Sequence, residues 1–517
     1  MTACIRFIDD CIADLARSEP NAPALDFCGA ITTWTQLDAM VDAMAHRLRA
    51  EGVQPQDRIA FLARNSDYEI AVLFAVSRLR ATFLPINWRL SAPEISWILD
   101  DAAARVVITS DEFLPLLEGE GRTIDPRRRV IVSENRGAEL RAPGGELVSK
   151  PEAGFLQLAA DPDVTPAVQI YTSGTTGRPK GTMLSHSYFI LGAEMVLRHP
   201  EAALRLDPGE QALLTMPLFH IGGLNYAFIL MSQGRGLVVL PDYDVTAVLE
   251  LIDKGQVALV TGVPTMLQAL LDHPSAPKTD FSGLRYFMYG AAPMPPALVA
   301  RAMKAIGCGF ASTYGLTESS SVTYLAPGDH GASGGDRLQS VGRPLPGVEI
   351  RIVAPDGAPT LAGEVGEITV RSPQIMLGYW NQPEATQAAF SEGWLRTGDA
   401  GALDADGYLH LKDRIKDMIV SGGENIYPAE IERVLFEHPA IHDVAVVGAP
   451  DDYWGETVKA FVVPKEGAAL DLEELRAFAG ARLARFKLPK QLELLAELPR
   501  TASGKVLKRA LRDRGHD

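Results

Sequence analysis

Residues Tyr171–Gly181 read YTSGTTGRPKG, with three Gly, three Thr, one Ser, one Arg and one Lys in eleven positions. Glycine lets the backbone approach an anion closely, and successive N–H groups form a nest for phosphate oxygens. The hydroxyls of Thr172, Ser173, Thr175 and Thr176 add donors around Gly174, and Lys180 adds a point charge. This is not a Walker A loop, which needs GxxxxGK followed by Ser or Thr; the one Gly-Lys pair, Gly504-Lys505, is followed by Val506. An ordinary Gly-rich turn between strands is the competing reading.

Outward from this loop the texture is α/β. Val164–Tyr171 reads as a strand entering the loop. Glu69–Ala81 has helical spacing, Arg105–Thr109 is a short buried-strand run, and Gly236–Leu240 and Val257–Val263 repeat it. Such alternation favours a largely parallel sheet. From about residue 340 the chain turns to Gly- and Pro-punctuated β segments, which predict a small β unit. Near Asp413–Asp417 it changes again. Pro428 opens a helix (PAEIERVLFEHP), two strands follow (VAVVGAP and VKAFVVP), and Asp471 starts a helix with Glu474 spaced for a capping box. The expected division is an N-terminal domain over 1–412, with its β-rich part at about 340–412, a boundary segment at 413–416 that the resemblance described below makes a hinge, and a C-terminal α+β domain over 417–517.

Composition removes other classes. The 517 residues are 47% apolar and 22% charged, which is globular rather than disordered. No apolar run approaches the ~18–20 residues of a membrane span. The first twenty residues carry Asp9 and Asp10 within their apolar stretch and have no basic lead, unlike a secretory signal. Four cysteines without CxxC spacing point to reduced thiols and a cytoplasmic setting, not to a metal site. A net charge of −16 disfavours nucleic acid as partner. Residues 482–517 nevertheless hold ten Lys/Arg against four Asp/Glu. That basic tail reads either as a solubility pattern or as a mobile piece that approaches a polyanionic ligand. Arg127-Arg128-Arg129 reads as a solvated surface run.

Further motifs stand in a fixed order: PLFHIGG (Pro217–Gly223), YGAAPM (Tyr289–Met294), STYGLTE (Ser312–Glu318) and WLRTGD (Trp394–Asp399). KDRIKDMIVSGGENIYPAEIE (Lys412–Glu432) and PRTASGKVLKR (Pro499–Arg509) follow. Together with YTSGTTGRPKG they resemble the adenylate-forming superfamily of acyl-CoA synthetases, amino-acid-adenylating domains and beetle luciferases, over about residues 10–512. The resemblance implies a large N-terminal domain of two α/β subdomains and a small β-barrel-like subdomain, then a small mobile α+β lid. It implies two half-reactions: a carboxylate attacks the α-phosphorus of ATP to give acyl-AMP and pyrophosphate, then a thiol takes the acyl group and AMP leaves. Both steps gather negative charge, so the protein's work is positioning and electrostatic stabilisation.

By the same resemblance Thr317-Glu318 is the ATP/Mg²⁺ element, with Glu318 as metal ligand; a hard cation that keeps its waters needs little more than one carboxylate and phosphate oxygens. Tyr314 would offer adenine an aromatic face, with Gly290, Ala291 and Ala292 on the other side and Ser312, Thr313 and Gly315 alongside. Asp399 would accept from the ribose hydroxyls, and Arg414 would meet ribose and phosphate. Lys505 matches the adenylation lysine, and Lys416 matches the hinge. Gly422 and Gly423 would let the pantetheine arm of CoA pass. His220 would line the acyl pocket near the carboxylate with Gly222, Gly223, Asn225, Tyr289 and Gly315; a satisfied core histidine is the competing reading. Arg80 departs from the pattern, standing where the family usually has Gly, and bears on local packing.

The acid is bounded by three comparisons within the resemblance. Acetate-activating relatives carry Trp where Gly315 stands, malonate-activating relatives carry Arg where Thr313 stands, and amino-acid-activating relatives place an Asp near PLFHIGG. The remaining expectation is a hydrophobic monocarboxylic acid: a medium- or long-chain fatty acid, an aryl or cinnamyl-type acid, or a larger alicyclic acid. CoA is the expected thiol, against the phosphopantetheine of a carrier protein. An inactive ATP-binding scaffold and a luciferase-like oxygenase are the other readings. Homodimers are common in the family, and the sequence leaves oligomeric state open.

Overall fold

The computed structural model describes residues 5–118, 128–132, 160–172, 179–292, 294–331, 337–421, 424–451, 453–500 and 505–514. Two large sheets carry the N-terminal part. The seven-stranded sheet runs, in spatial order, Gly378–Tyr379, Lys180–Ser185, Pro166–Thr172, Thr82–Pro85, Arg58–Leu62, Val106–Thr109 and Arg129–Val132. Its last five strands are parallel. Thr82–Pro85 and Val106–Thr109 are buried throughout, as the continuous apolar run of a strand covered on both faces requires. The nine-stranded sheet is parallel from Pro23–Phe27 to Gly309–Leu316, with antiparallel strands at both edges.

Asp67–Arg78 is the helix expected near Glu69–Ala81. Ser66 starts it by accepting the Glu69 N–H at 3.1 Å. Just beyond it, Arg80 sits at φ +55°, the left-handed region that favours the family's usual Gly. A buried cluster explains why Arg is kept there. Arg80 Nη1 donates to Asp9 Oδ1 at 2.8 Å, and its guanidinium lies 3.6 Å from the centre of the Phe7 ring. Ser77 Oγ also donates to Asp9, and His186 packs edge-on against Phe7. The N-terminal segment is thereby tied to the core through Asp9, one of the two acids that break its apolar stretch.

The small β unit is a five-stranded antiparallel sheet centred on Gly366–Arg371 and Trp394–Leu403, with Leu409–Arg414 beside the latter. The chain then makes a short turn, Ile415–Asp417, and enters a last sheet at Ile419–Ser421. There Ile441–Asp451 and Gly455–Pro464 form a long antiparallel pair. Helices Pro428–Phe436 and Leu472–Gly480 cover one face of it through Ile431, Leu435, Leu475 and Ala479. Lys508–Asp513 covers the other through Leu511, packed near Phe461 and Leu498. Asp471 caps its helix by accepting the Glu474 N–H at 2.8 Å.

Asp413 joins the two sides of the turn. Its Oδ2 accepts the Ala429 N–H of helix Pro428–Phe436 at 2.8 Å, and Lys508 Nζ lies 3.7 Å away. Arg433 donates across the same boundary to Gln339 Oε1 at 2.7 Å.

Two charge readings change. Much of the basic tail pairs with carboxylates: Lys487 with Glu430, Arg500 with Asp443, Lys508 with Glu432 and Arg512 with Asp417. Local ion pairing, rather than a loose cationic tail, accounts for much of its composition. Arg128 is not solvated either. Its side chain is 9% exposed, donates to the Ala104 carbonyl and pairs with Asp100, while Arg129 is exposed and Arg127 lies outside the described residues.

Candidate active site

The Gly/Thr-rich motif spans two antiparallel strands, in which Thr172 faces Lys180 and Tyr171 faces Gly181. Ser173, Gly174, Thr175 and Thr176 lie outside the described residues. A strap formed by residues 376–380 runs beside this hairpin. Met376 N–H donates to the Glu318 carbonyl, Leu377 N–H to the Met183 carbonyl and Trp380 N–H to the Gly181 carbonyl, each at 2.8 Å. Tyr379 thus lies between Lys180 and the next motif. Lys180 Nζ lies 4.8 Å from the centre of its ring, and its hydroxyl donates to Glu318 Oε1 at 2.8 Å.

Thr317 and Glu318 occupy the tight turn between Gly309–Leu316 and Ser320–Leu325. The buried Tyr188 hydroxyl fixes this turn by donating to the Thr317 carbonyl at 2.9 Å. Gly315 lies where the hairpin register shifts, and a Cβ there would stand 1.5 Å from the Ser320 carbonyl oxygen. In this backbone a side chain at 315 therefore requires the Ser320 carbonyl to move, a constraint that acts separately from any substrate pocket.

Gly290 pairs with Thr313, and Tyr289 with Ser312, on adjacent parallel strands. Ala291 follows at φ +64°, opening a turn that Ala292 continues beside Tyr314's strand. Tyr314 hydroxyl donates to Asp399 Oδ2 at 2.7 Å, and Arg414 Nε contacts Asp399 Oδ1 at 2.7 Å. Asp399 and Arg414 are cross-strand partners, so the ladder itself holds them together. Burial pushes the Asp399 carboxyl up, while Arg414 and Tyr314 favour its charged form.

His220 caps helix Ile221–Met231: its Nδ1 accepts the Gly222 N–H at 3.1 Å, which leaves the ring proton on Nε2. Loss of hydration, with Lys505 nearby, lowers its pKa to about 4, so the ring is neutral near pH 7. A Cβ on Gly223 would meet the Pro217 carbonyl oxygen at 2.3 Å. Asn225 and Tyr289 use their polar ends within the protein. Asn225 Nδ2 donates to Ser320 Oγ at 2.9 Å. Tyr289 hydroxyl meets His330 Nε2 at 3.0 Å, and His330 Nδ1 lies 2.8 Å from the Ala326 carbonyl oxygen.

Lys505 reaches this cluster from the C-terminal part. Its loop is closed by a backbone bridge between Arg500 and Val506, and Leu507 N–H donates to the Pro499 carbonyl at 2.8 Å. Arg414, Asp399 and Glu318 all lie within electrostatic reach of its ammonium, as does His220. Burial, then Arg414, lowers its pKa, and the two carboxylates oppose that shift. Lys416 is exposed on the Ile415–Asp417 turn. Gly422 and Gly423 lie outside the described residues; Ser421 and Glu424, on either side, pair with each other.

The donor set suits a hard cation brought in by a nucleotide. Among the described residues no three His, Cys, Asp or Glu side chains gather into a metal cage. Glu318 engages Tyr379 through Oε1, and its second oxygen can still serve a cation that keeps phosphate and water ligands.

Three residues of this framework escaped the sequence reading. Tyr188 and Tyr379 hold the Thr317–Glu318 turn. Asn65 holds the loop before His220, accepting from Leu218 N–H at 2.9 Å and donating to the Met216 carbonyl at 3.1 Å. Each acts on a partner far away in sequence, and no local spacing marks it.

Comparison with known proteins agrees with this architecture. The family profile described as AMP-binding enzyme matches residues 12–380, and the AMP-binding enzyme C-terminal domain matches 430–505. The chain belongs to this family, the adenylate-forming enzymes. It is 39% identical to a feruloyl-CoA synthase of Amycolatopsis sp, over 96% of this chain and 97% of that protein. It is 38% identical to the fatty acid–[acyl-carrier-protein] ligase ScoC of Streptomyces coeruleorubidus, over 96% and 94%. Among solved structures, the amide bond synthetase McbA from Marinactinospora thermotolerans superposes with a TM-score of 0.86 at 32% identity, covering 98% of this chain and 99% of that one.

Proposed function

We propose that the chain is an AMP-forming acyl-CoA synthetase that activates a hydrophobic monocarboxylic acid through acyl-AMP. One observation carries the reading: Lys505, although it comes from the C-terminal part, lies within electrostatic reach of Glu318, Asp399, Arg414 and His220. Asp399 accepts from the ribose hydroxyls, and Arg414 steadies Asp399 and the neighbouring phosphate. Lys505 binds the acid's carboxylate and the α-phosphate together, which holds the nucleophile against the phosphorus and offsets the repulsion between the two anions. An ammonium about 4 Å from an anion gains roughly 4 kcal/mol at an effective dielectric of 20. Glu318 would hold the Mg²⁺ that accompanies ATP, and the ion would supply neutralisation of phosphate charge. His220, neutral and fixed as a cap, lines the carboxylate end of the pocket without acting as a base.

In this reading residues 413–416 are the hinge between 1–412 and 417–517. Rotation there withdraws Lys505 and brings in the loop at Gly422-Gly423 for the thiol of CoA. Consumption of ATP and CoA accords with a cytoplasmic location; no helix among the described residues is long and apolar enough to cross a membrane.

The test is pyrophosphate release from Mg·ATP with pooled aliphatic and aromatic monocarboxylates, with and without CoA. Strong CoA-dependent turnover is expected, and splitting the pool identifies the acid. One CoA-independent round of release, with no increase on adding CoA, transfers the second step to a carrier protein. Silence with every acid refutes the activity.

A further inference from the structure

Glu318, which the proposed function gives to the cation of ATP, and Lys180, the point charge at the end of the Gly/Thr-rich motif, belong to different sheets. Lys180 begins Lys180–Ser185 in the seven-stranded sheet, and Glu318 sits in the turn between two strands of the nine-stranded sheet. The strap of residues 376–380 bonds to both, through Met376 on the Glu318 side and through Leu377 and Trp380 on the Lys180 side. Its short strand, Gly378–Tyr379, is the edge strand next to Lys180–Ser185, with Tyr379 in register with Thr182. Only one side chain of the strap is found against both charged groups: the Tyr379 ring lies under Lys180, and the Tyr379 hydroxyl reaches Glu318.

We infer that Tyr379 is a positioning residue for nucleotide binding, setting the Glu318 carboxylate for its cation and seating the Lys180 ammonium for phosphate. This rests on the proposed function. The hydroxyl donates to Oε1 and so selects which oxygen Glu318 turns to the cation. A group bonded to a metal ligand in this way typically changes metal affinity 10- to 100-fold, in the manner of outer-shell partners elsewhere. The ring acts separately. Its face holds an ammonium without neutralising it, so Lys180 waits in place with its charge intact. The backbone around Tyr379 is anchored independently of the phenol, since its N–H donates to Thr386 Oγ1 at 2.9 Å and the Trp380 indole donates to the Asp101 carbonyl at 2.9 Å. Tyr379→Phe therefore removes one hydrogen bond and leaves the strap.

The experiment is calorimetric titration of the full-length protein with ATP, without metal and over a series of Mg²⁺ concentrations. The set is wild type, Tyr379→Phe, Tyr379→Leu, Glu318→Gln and the double variant Tyr379→Phe/Glu318→Gln. Tyr379→Phe is expected to bind metal-free ATP as wild type does, yet to need roughly 10-fold more Mg²⁺ for the same gain in affinity. In the Glu318→Gln background the same change should add nothing, because its effect passes through that carboxylate. Tyr379→Leu should also weaken metal-free binding, through loss of the seat for Lys180. Identical Mg²⁺ dependence in Tyr379→Phe and wild type overturns the inference, as does an undiminished effect in the Glu318→Gln background. A wild type that gains nothing from Mg²⁺, with Glu318→Gln indistinguishable from it, overturns the metal role of Glu318 and the inference together.

Discussion

Replacing Arg80 by Gly restores the family's usual residue, and the structure predicts that doing so weakens the protein. In favour of Gly, a left-handed conformation costs a non-Gly residue roughly 1–2 kcal/mol. Against it, Asp9 is 5% exposed and loses its 2.8 Å partner, and removing one member of a buried pair costs about 3–5 kcal/mol. The guanidinium also leaves the Phe7 face, a contact worth up to about 2 kcal/mol when desolvated. Ser77 still donates to Asp9, and Arg78 remains 3.9 Å from it, so part of the loss is recovered. The balance is a destabilisation of about 2–4 kcal/mol. Urea unfolding followed by tryptophan fluorescence measures it, since Trp34 is fully buried in the same core. Adding Asp9→Asn to Arg80→Gly should return part of the stability, because the stranded charge is gone. An Arg80→Gly protein as stable as wild type, or more so, would refute the reasoning and show that the left-handed strain outweighs the buried pair.

Lys505→Ala should lower acyl-AMP formation by roughly three powers of ten while largely sparing thioester formation from supplied acyl-AMP; stopped-flow pyrophosphate release and thioester assays separate the two, and equal losses sink the two-orientation account. Because the Lys505 pKa is lowered, the alkaline fall of kcat/KM for adenylation should begin below the ordinary lysine range, and Lys505→Arg should move it upward. His220, with a pKa of about 4, should leave no inflection between pH 6 and 8, and His220→Asn should keep the shape of that profile even if its height changes. The fully buried His186 has a pKa near 3, against about 6.5 in an unfolded chain. Its contribution is therefore complete above pH 6.5 and is lost as pH falls towards 3, so acid unfolding should become less steep in His186→Leu. Gly315→Ala should disturb the hairpin itself, detected as weaker ATP binding together with a lower unfolding midpoint, rather than a change of preferred acid.

The legible part of this molecule was the part written in contiguous residues. Buried strands such as Val106–Thr109, the helix opened by Pro428, and the motifs at Lys180, Glu318, Asp399 and Lys505 all announce themselves within a few positions. The rest depends on partners remote in the chain. Arg80 looks like an awkward substitution until Asp9 and Phe7 are beside it, 71 and 73 positions away. Arg128 looks solvated until Asp100 and the Ala104 carbonyl meet it. Tyr379 carries no motif, and its meaning lies in being the neighbour of Lys180 and Glu318 at once. Gly315 shows the converse: the sequence suggested room for substrate, whereas the hairpin register gives a backbone reason for the same residue.

The bond from Ala429 to Asp413 has a consequence for timing. Helix Pro428–Phe436 lies beyond the Ile415–Asp417 turn, yet the carboxylate that receives its first-turn N–H lies before it. A swing about that turn uncaps the helix and pulls Lys508 from the same carboxylate. A lost cap costs about 1 kcal/mol, so the present orientation is latched rather than freely swinging. On the hinge proposal, leaving this orientation carries that cost, which slows departure by at most about fivefold.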